Sequence, residues 1–137
     1  MLNRAEIERR VPHAGAMCLL DAVTHWDATH IVCEAAAPTA DHPLARDGVV
    51  PAVAAVEYAA QATAVHGSLL DAAGTPRSGM LAKLSDVELG HESLRGKLIV
   101  RAELQSRVAS GCMYGFAVHD EKSCCARGRL LVALRTG

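Results

Sequence analysis

Residues 51 to 70, "PAVAAVEYAAQATAVHGSLL", constrain the fold of this 137-residue chain more than any other segment. Alanine has the highest helix propensity, and Pro51 suits a first helical turn because the N–H that proline lacks would have no intrahelical partner there. The run is apolar almost all round, and a helix of that kind has to be covered on all sides. The sequence therefore predicts one long buried helix.

Segments that are typical of β-strands lie on both sides of this helix. Two strands are expected within residues 16 to 37, on either side of a turn at 26 to 30. In residues 97 to 107 apolar and polar side chains alternate, which indicates a half-buried antiparallel strand. We expect a four-strand meander after the helix, made of residues 80–89, 97–107, 112–120 and 124–135.

These elements favour an α+β fold in which a curved antiparallel sheet wraps round the long helix. Alanine at the contact allows the helix to approach the sheet closely. A short helix over residues 3 to 10, with Asn3 as its N-cap, precedes the first strand. No repeat or linker divides the chain, so we expect residues 1–137 to form a single domain. The far side of the long helix needs a cover, and a second copy of the chain is the simplest one.

The composition excludes several classes of function. Aromatic residues make up only 3% of the chain and its net charge is -1, so we expect neither a stacking platform for nucleic acid nor attraction to phosphate backbones. Glu57, Gln61 and His66 interrupt the apolar run, which argues against a membrane span. The charged N-terminal residues lack the apolar core of a signal peptide, so we expect a cytoplasmic protein.

The cysteines and histidines do not have the spacing of a metal site. No Cys-x-x-Cys or His-x-x-x-His pair occurs among the five cysteines and seven histidines. We therefore expect reduced, mostly buried thiols, no metal and no cofactor. The cysteines are Cys18, Cys33, Cys112, Cys124 and Cys125.

Glu57 is a carboxylate within the apolar run, where an ionised group costs free energy unless it is paired or has a function. Gln61 lies one helical turn further on and shares its face. His42, in the preceding loop, could fold over that face. A histidine and a glutamate that meet in an apolar cleft can act as an acid–base pair. Alternatively, Glu57 is a buried carboxylate that the backbone or an arginine satisfies, and His42 is an exposed loop residue.

Residues 41 to 62, "DHPLARDGVVPAVAAVEYAAQA", resemble the active-site segment of the 3-hydroxyacyl-(acyl carrier protein) dehydratases, which have a hotdog fold. That family has a Gly-His-Phe-Pro-Gly motif, then Pro-Gly-Val leading into a helix with Glu and, later, Ala-Gln. The matching positions in this chain are His42, Pro51, Val53, Glu57 and Gln61. Residues 11 to 23, "VPHAGAMCLLDAV", are similar to the family's N-terminal Pro-His segment and the start of its first strand.

The chain departs from the family pattern in several places. The interval from His42 to Glu57 is one residue longer than usual, "HPLA" replaces His-Phe-Pro-Gly, and "PA" replaces Pro-Gly at the start of the helix. A Pro-Gly-Asp motif before a later strand is missing. The chain is therefore more similar to a divergent branch associated with aryl-polyene or polyketide-like pathways than to the housekeeping enzyme of fatty-acid biosynthesis.

The resemblance implies dehydration of a 3-hydroxyacyl thioester, carried on the phosphopantetheine arm of acyl carrier protein, to a 2-enoyl thioester. His42 would remove the α-proton, and Glu57 of the partner subunit would protonate the leaving hydroxyl. Pro51, Ala52 and Val53 would bind the thioester at the helix N-terminus, where the dipole is positive. No metal or cofactor takes part. Gln61 would belong to the substrate-binding residues and support Glu57 rather than react, whereas His13 would have a structural role.

Two alternatives and the choice of partner remain open. A hotdog fold also suits an acyl thioesterase, in which the helix carboxylate directs water, or a non-catalytic partner subunit of a dehydratase. We expect a homodimer, with a higher oligomer or a hetero-oligomer with a related dehydratase as alternatives. An acidic carrier protein would need a basic patch, for which the candidates are Arg77, Lys83, Arg95 and Lys97.

Overall fold

In the part of the chain that the structure describes, two α-helices and six strands follow one another in the predicted order. The structure is a computed structural model that describes residues 1–11, 17–71 and 77–136. Its elements are α1 (Arg4–Glu8), β1 (Ala22–Trp26), β2 (His30–Ala35), α2 (Ala55–Leu70), β3 (Arg77–Leu89), β4 (Leu98–Val108), β5 (Gly111–His119) and β6 (Cys124–Thr136). His13, with its expected structural role, lies outside the described residues.

Helix α2 is the predicted long helix, and a more tightly wound turn comes immediately before it. Pro51 caps a 3₁₀ turn over Ala52–Ala54, after which the α-helix begins. The helix ends where the N–H of Asp71 donates to the carbonyl of Gly67 at 3.0 Å. No helix among the described residues is long and apolar enough to cross a membrane.

One six-stranded antiparallel sheet, in the order β1-β2-β4-β5-β6-β3, curves round α2. On β4 the side chains of Leu98, Val100 and Ala102 are buried, whereas Arg101 and Glu103 are exposed. This confirms the alternation expected for a half-buried strand. The helix presents alanines to the sheet, and because methyl groups occupy little space the two layers lie close together. The arrangement confirms the expected α+β hotdog fold.

The expected four-strand meander is wrong, because β3 does not pair with β4. Strand β3 pairs with β6, with Leu84 opposite Leu130, and forms one edge of the sheet. Only β4, β5 and β6 form a meander. The connection over residues 90–97 does not turn back as a hairpin. It crosses to the start of α2, where the N–H of Ala52 donates to the carbonyl of Glu92 at 3.0 Å.

The expectations for the N-terminal helix and the cysteines are confirmed. Asn3 and Glu6 form a reciprocal capping box, with hydrogen bonds of 2.9 and 3.2 Å. All five cysteines are reduced thiols. Cys124 is half-buried and the other four are buried. Burial raises the pKa of Cys33 to about 12, so this thiol stays protonated and inert at neutral pH.

Candidate active site

Glu57 projects from the first turn of α2, where Gln61 holds its carboxylate. The side-chain amide of Gln61 donates to Glu57 Oε1 at 3.0 Å and to the carbonyl of Met17 at 2.7 Å. Gln61 Oε1 in turn accepts from the N–H of Leu19 at 2.8 Å. Because Gln61 is only 2% exposed and uses both ends of its amide, its orientation is fixed. Gln61 thereby fixes the position of the Glu57 carboxylate.

Glu57 also lines one end of a largely apolar groove of about 430 Å³ that runs along α2. The charged residues Arg9, Arg10, Asp71 and Arg107 border it. Ala60, Ala64 and Gly67 form its helix side, at intervals that place them along one stripe of the helix. Leucine and valine side chains of β3 and β6 form the opposite wall. At a rise of about 1.5 Å per residue, the fourteen residues from Glu57 to Asp71 span roughly 21 Å. An extended acyl chain fits a groove of these dimensions and this polarity.

His42 uses both ring nitrogens within its own chain. Its Nδ1 accepts from the N–H of Leu44 at 3.0 Å, so the ring proton lies on Nε2, which donates to the hydroxyl of Tyr58 at 2.9 Å. Burial lowers the pKa of His42, and the nearby Asp41 carboxylate opposes this in part. Burial also raises the pKa of Tyr58 to about 12. At neutral pH we therefore expect a neutral imidazole and a neutral phenol.

The structure brings Gln61 to Glu57 but does not bring His42 to Glu57 within one chain. Successive helical residues point about 100° apart, so Glu57 faces the groove while Tyr58 faces the interior and meets His42. His42 is not among the described residues that line the groove. Within one chain, His42 and Glu57 therefore have different hydrogen-bond partners, Tyr58 and Gln61.

The start of α2 leaves one backbone donor free among the three predicted thioester-binding residues. Pro51 has no N–H, and the N–H of Ala52 is engaged with Glu92. The N–H of Val53 has no acceptor among the described residues, and the residue is 57% exposed. Because the positive end of the helix dipole lies here, Val53 offers a donor to a carbonyl oxygen.

Sequence reasoning missed two features of the site. Tyr58 is the hydrogen-bond partner of His42, and Glu92 holds the start of α2 from a connection forty residues further along the chain. Tyr58 is the only aromatic residue in the helical run, which was the one available signal. Glu92 acts through its backbone carbonyl, so its side-chain type carries no signal.

Comparisons with known proteins agree with this architecture. The model of the ApeP dehydratase family matches residues 5–135. Comparison with curated protein sequences finds no significant match. The dehydratase heterocomplex ApeI:P from Xenorhabdus doucetiae is similar in structure, with a TM-score of 0.81 at 22% identity over 95% of this chain and 91% of that chain.

Two thioesterases have the same fold. One from Pseudomonas aeruginosa has a TM-score of 0.74 at 11% identity, over 100% of this chain and 96% of its own. One from Haemophilus influenzae has a TM-score of 0.73 at 12% identity, over 99% of this chain and 92% of its own. At these identities the structural matches show the hotdog fold alone, whereas the family match spans nearly the whole chain. The predicted dehydratase resemblance is thus confirmed, and the chain belongs to the ApeP dehydratase family.

Proposed function

We propose that the protein dehydrates 3-hydroxyacyl thioesters on acyl carrier protein to 2-enoyl thioesters. The observation that carries the proposal is the Glu57 carboxylate, which Gln61 fixes at one end of an apolar groove. Membership of a dehydratase family supports the elimination of water. The acyl chain would lie in the groove, with its thioester carbonyl accepting a hydrogen bond from the N–H of Val53.

In this mechanism His42 takes the α-proton, and Glu57 enters the step as the carboxylic acid and gives its proton to the leaving hydroxyl, which departs as water. The proton on His42 then returns through water to the Glu57 carboxylate. The lowered pKa of His42 keeps the ring neutral, as a base requires. Its Nε2 carries a proton in the free chain, so the hydrogen bonds to Leu44 and Tyr58 must rearrange when substrate binds. Gln61 keeps the Glu57 carboxyl group oriented during the transfer.

A second chain would complete this site, and the edge strand β3 offers the surface for it. An edge strand exposes unpaired backbone groups that can pair with another chain. Strand β3 also carries exposed apolar side chains, namely Met80, Leu81, Leu84, Val87 and Leu89. A homodimer would bring His42 of one copy towards Glu57 of the other. The ApeI:P heterocomplex supports a related dehydratase as the alternative partner.

Not all four basic residues predicted to meet an acidic carrier protein are equally suited to do so. Lys97 is already paired with Glu34 at 3.3 Å. Arg95 and Lys83 are exposed, and Arg95 donates to the hydroxyl of Ser93 close to the start of α2. The side chain of Arg77 lies outside the described part of the chain. We infer that Arg95 is the best placed of the four to meet a carrier protein.

Thioester hydrolysis is the second candidate function, because one observation favours it. With Nδ1 accepting and Nε2 donating, His42 has no free lone pair, whereas the Glu57 carboxylate is accessible to water in the groove. A helix carboxylate alone can direct water at a thioester. The two hydrogen bonds of His42, to Leu44 and Tyr58, are also compatible with a non-catalytic subunit.

One assay separates these functions. Purified protein is incubated with 3-hydroxyacyl thioesters of acyl carrier protein, and mass spectrometry follows loss of water from the intact thioester against release of free carrier thiol. We expect the enoyl product, and at least about 10²-fold lower kcat in Glu57→Gln and His42→Ala. The exposed Glu121 provides the matched control Glu121→Gln, which should retain activity. Release of free thiol without an enoyl product would sink the dehydratase proposal in favour of hydrolysis.

A further inference from the structure

Three side chains with different donor atoms meet beside the β5–β6 hairpin, away from the groove. They are His91, which follows β3, Asp120, which follows β5, and Cys125, which lies on β6. One imidazole nitrogen, one carboxylate oxygen and one sulfur all lie within 4.8 Å of one another. The distance from His91 Nε2 to Asp120 Oδ2 is 3.7 Å.

These distances suit a small tetrahedral cation. Zinc binds histidine nitrogen, carboxylate oxygen and thiolate sulfur at about 2.0 to 2.3 Å, which places tetrahedral ligand atoms roughly 3.3 to 3.8 Å from one another. The separation between His91 and Asp120 is already in that range. The Cys125 sulfur needs a shift of no more than about 1 Å to join them.

The backbone holds the three residues together without a ligand. The N–H of Gly90 donates to the carbonyl of Cys125 at 2.8 Å, which places His91 beside the hairpin. A Cβ atom on Gly90 would lie 2.3 Å from the carbonyl oxygen of Cys124, so only glycine allows this approach. The N–H of Asp120 donates to the carbonyl of Ser123 at 3.0 Å and closes the hairpin.

The two carboxylate oxygens of Asp120 have different surroundings. Oδ1 accepts from the backbone N–H groups of Lys122 and Ser123, at 2.8 and 2.9 Å. Oδ2 is the oxygen that faces His91. Metal-binding carboxylates are commonly oriented by such hydrogen bonds through the oxygen that does not bind.

The charges also match a divalent cation. A Cys125 thiolate and the Asp120 carboxylate together carry two negative charges, and His91 adds a neutral nitrogen. His91 Nε2 now lies 2.7 Å from the hydroxyl oxygen of Ser123, and the cation would replace this hydrogen bond. Binding would displace the proton of the Cys125 thiol to solvent. The mixed nitrogen, oxygen and sulfur set favours a transition metal over magnesium or calcium.

We propose that His91, Asp120 and Cys125 bind one zinc-type divalent cation.

The position of this cation site in the fold points to a structural role. The segment that begins at His91 continues to Glu92, whose carbonyl accepts from Ala52 at the start of α2. A cation would therefore tie the β5–β6 hairpin to the segment that holds the proposed thioester site. Sequence spacing gives no sign of this set, because the three ligands lie in separate segments.

Cobalt(II) titration of the metal-free protein tests the proposal. A thiolate ligand produces a near-ultraviolet sulfur-to-cobalt charge-transfer band, and a tetrahedral site produces intense visible bands. We expect both bands to saturate at one equivalent per chain. Cys125→Ser should abolish the charge-transfer band, and His91→Ala should weaken cobalt binding by roughly 10- to 100-fold. Cys124→Ser is the matched control, because the neighbouring side chain points to the other face, and it should retain both bands.

Two results would overturn the proposal: wild-type protein without a charge-transfer band, or a band that survives in Cys125→Ser. Circular dichroism shows whether Cys125→Ser folds. If it does not, thermal denaturation of His91→Ala decides, because the half-exposed His91 can be replaced without unfolding the core. We expect zinc to raise the Tm of the wild type and of Cys124→Ser but not that of His91→Ala. An equal rise in all three proteins would contradict the site.

Discussion

Gln61 is the residue on which the geometry at the head of the groove depends most. Its amide joins α2 to the segment before β1 and at the same time orients the Glu57 carboxylate. A buried amide that makes three hydrogen bonds cannot be replaced by a smaller side chain without leaving backbone groups unsatisfied. This dual role connects the stability of the fold with the chemistry of the site.

We expect Gln61→Ala to lower the free energy of unfolding by about 2 to 4 kcal/mol, because the N–H of Leu19 and the carbonyl of Met17 lose their partner in the interior. Chemical denaturation measures the change. The exposed Gln105 provides the matched control, and Gln105→Ala should change stability by less than about 0.5 kcal/mol. Equal effects of the two substitutions would show that the Gln61 hydrogen bonds contribute no net stability.

His66 makes the stability of the protein depend on pH. It is 0% exposed, and its ring nitrogens contact the hydroxyl of Tyr114 at 2.7 Å and the carbonyl of Asp27 at 2.8 Å. Burial lowers its pKa below the ordinary value of 6.5, partly opposed by Asp27. The unfolded chain therefore binds more protons than the folded chain as the pH falls through 6.5.

We expect the free energy of unfolding to decrease as the pH falls below about 6.5, with His42 contributing in the same direction. Urea denaturation at a series of pH values between about 7.5 and 5 measures this slope. His66→Gln should reduce the slope, whereas substitution of the exposed His25 by Gln should not. A slope that is unchanged in His66→Gln would contradict the assignment.

Among the elements, α2 and the 90–97 connection contain two glycines with opposite requirements. A Cβ on Gly67 would meet nothing within 4 Å, whereas a Cβ on Gly90 would collide with the backbone of β6. Glycine in a helix interior costs conformational entropy, and glycine at a close approach of two backbones cannot be replaced. The two positions therefore make a matched pair for substitution.

We expect Gly67→Ala to raise the free energy of unfolding by about 0.5 to 1 kcal/mol and Gly90→Ala to lower it by more than about 2 kcal/mol. Because Gly67 also lines the groove, its new methyl group should shift the proposed acyl substrate preference towards shorter chains. Thermal denaturation and a chain-length series of substrates measure the two effects. Stabilisation by both substitutions would contradict the close approach at Gly90.

The sequence predicts which segments form helices and strands, because this depends on local geometry, but it does not predict which strands pair. The composition of residues 51–70 and the alternation in β4 reflect local geometry, and both are confirmed. Alternation shows which face of a strand is buried but not which strand lies beside it, so it does not predict that β3 pairs with β6. Helical spacing likewise joined Glu57 with Gln61, whereas no local rule predicts that His42 meets Tyr58.

At the scale of the whole molecule, one chain holds the proposed parts of the site at separate places. Glu57 lines the groove. His42 instead faces the interior, where it contacts the side chain of Tyr58, the residue after Glu57. The exposed apolar side chains on β3 and the free backbone groups of that edge supply a surface for a second chain. We therefore expect catalysis to require His42 and Glu57 from different subunits.

Complementation between two inactive variants tests this claim most directly. His42→Ala and Glu57→Gln chains with different affinity tags are co-expressed, the mixed dimer is isolated through both tags, and formation of the enoyl thioester is measured. A site shared between subunits leaves one intact site of two, so we predict about half the wild-type rate from the mixed dimer and almost none from either variant alone. A mixed dimer as inactive as the parent variants would contradict the shared site.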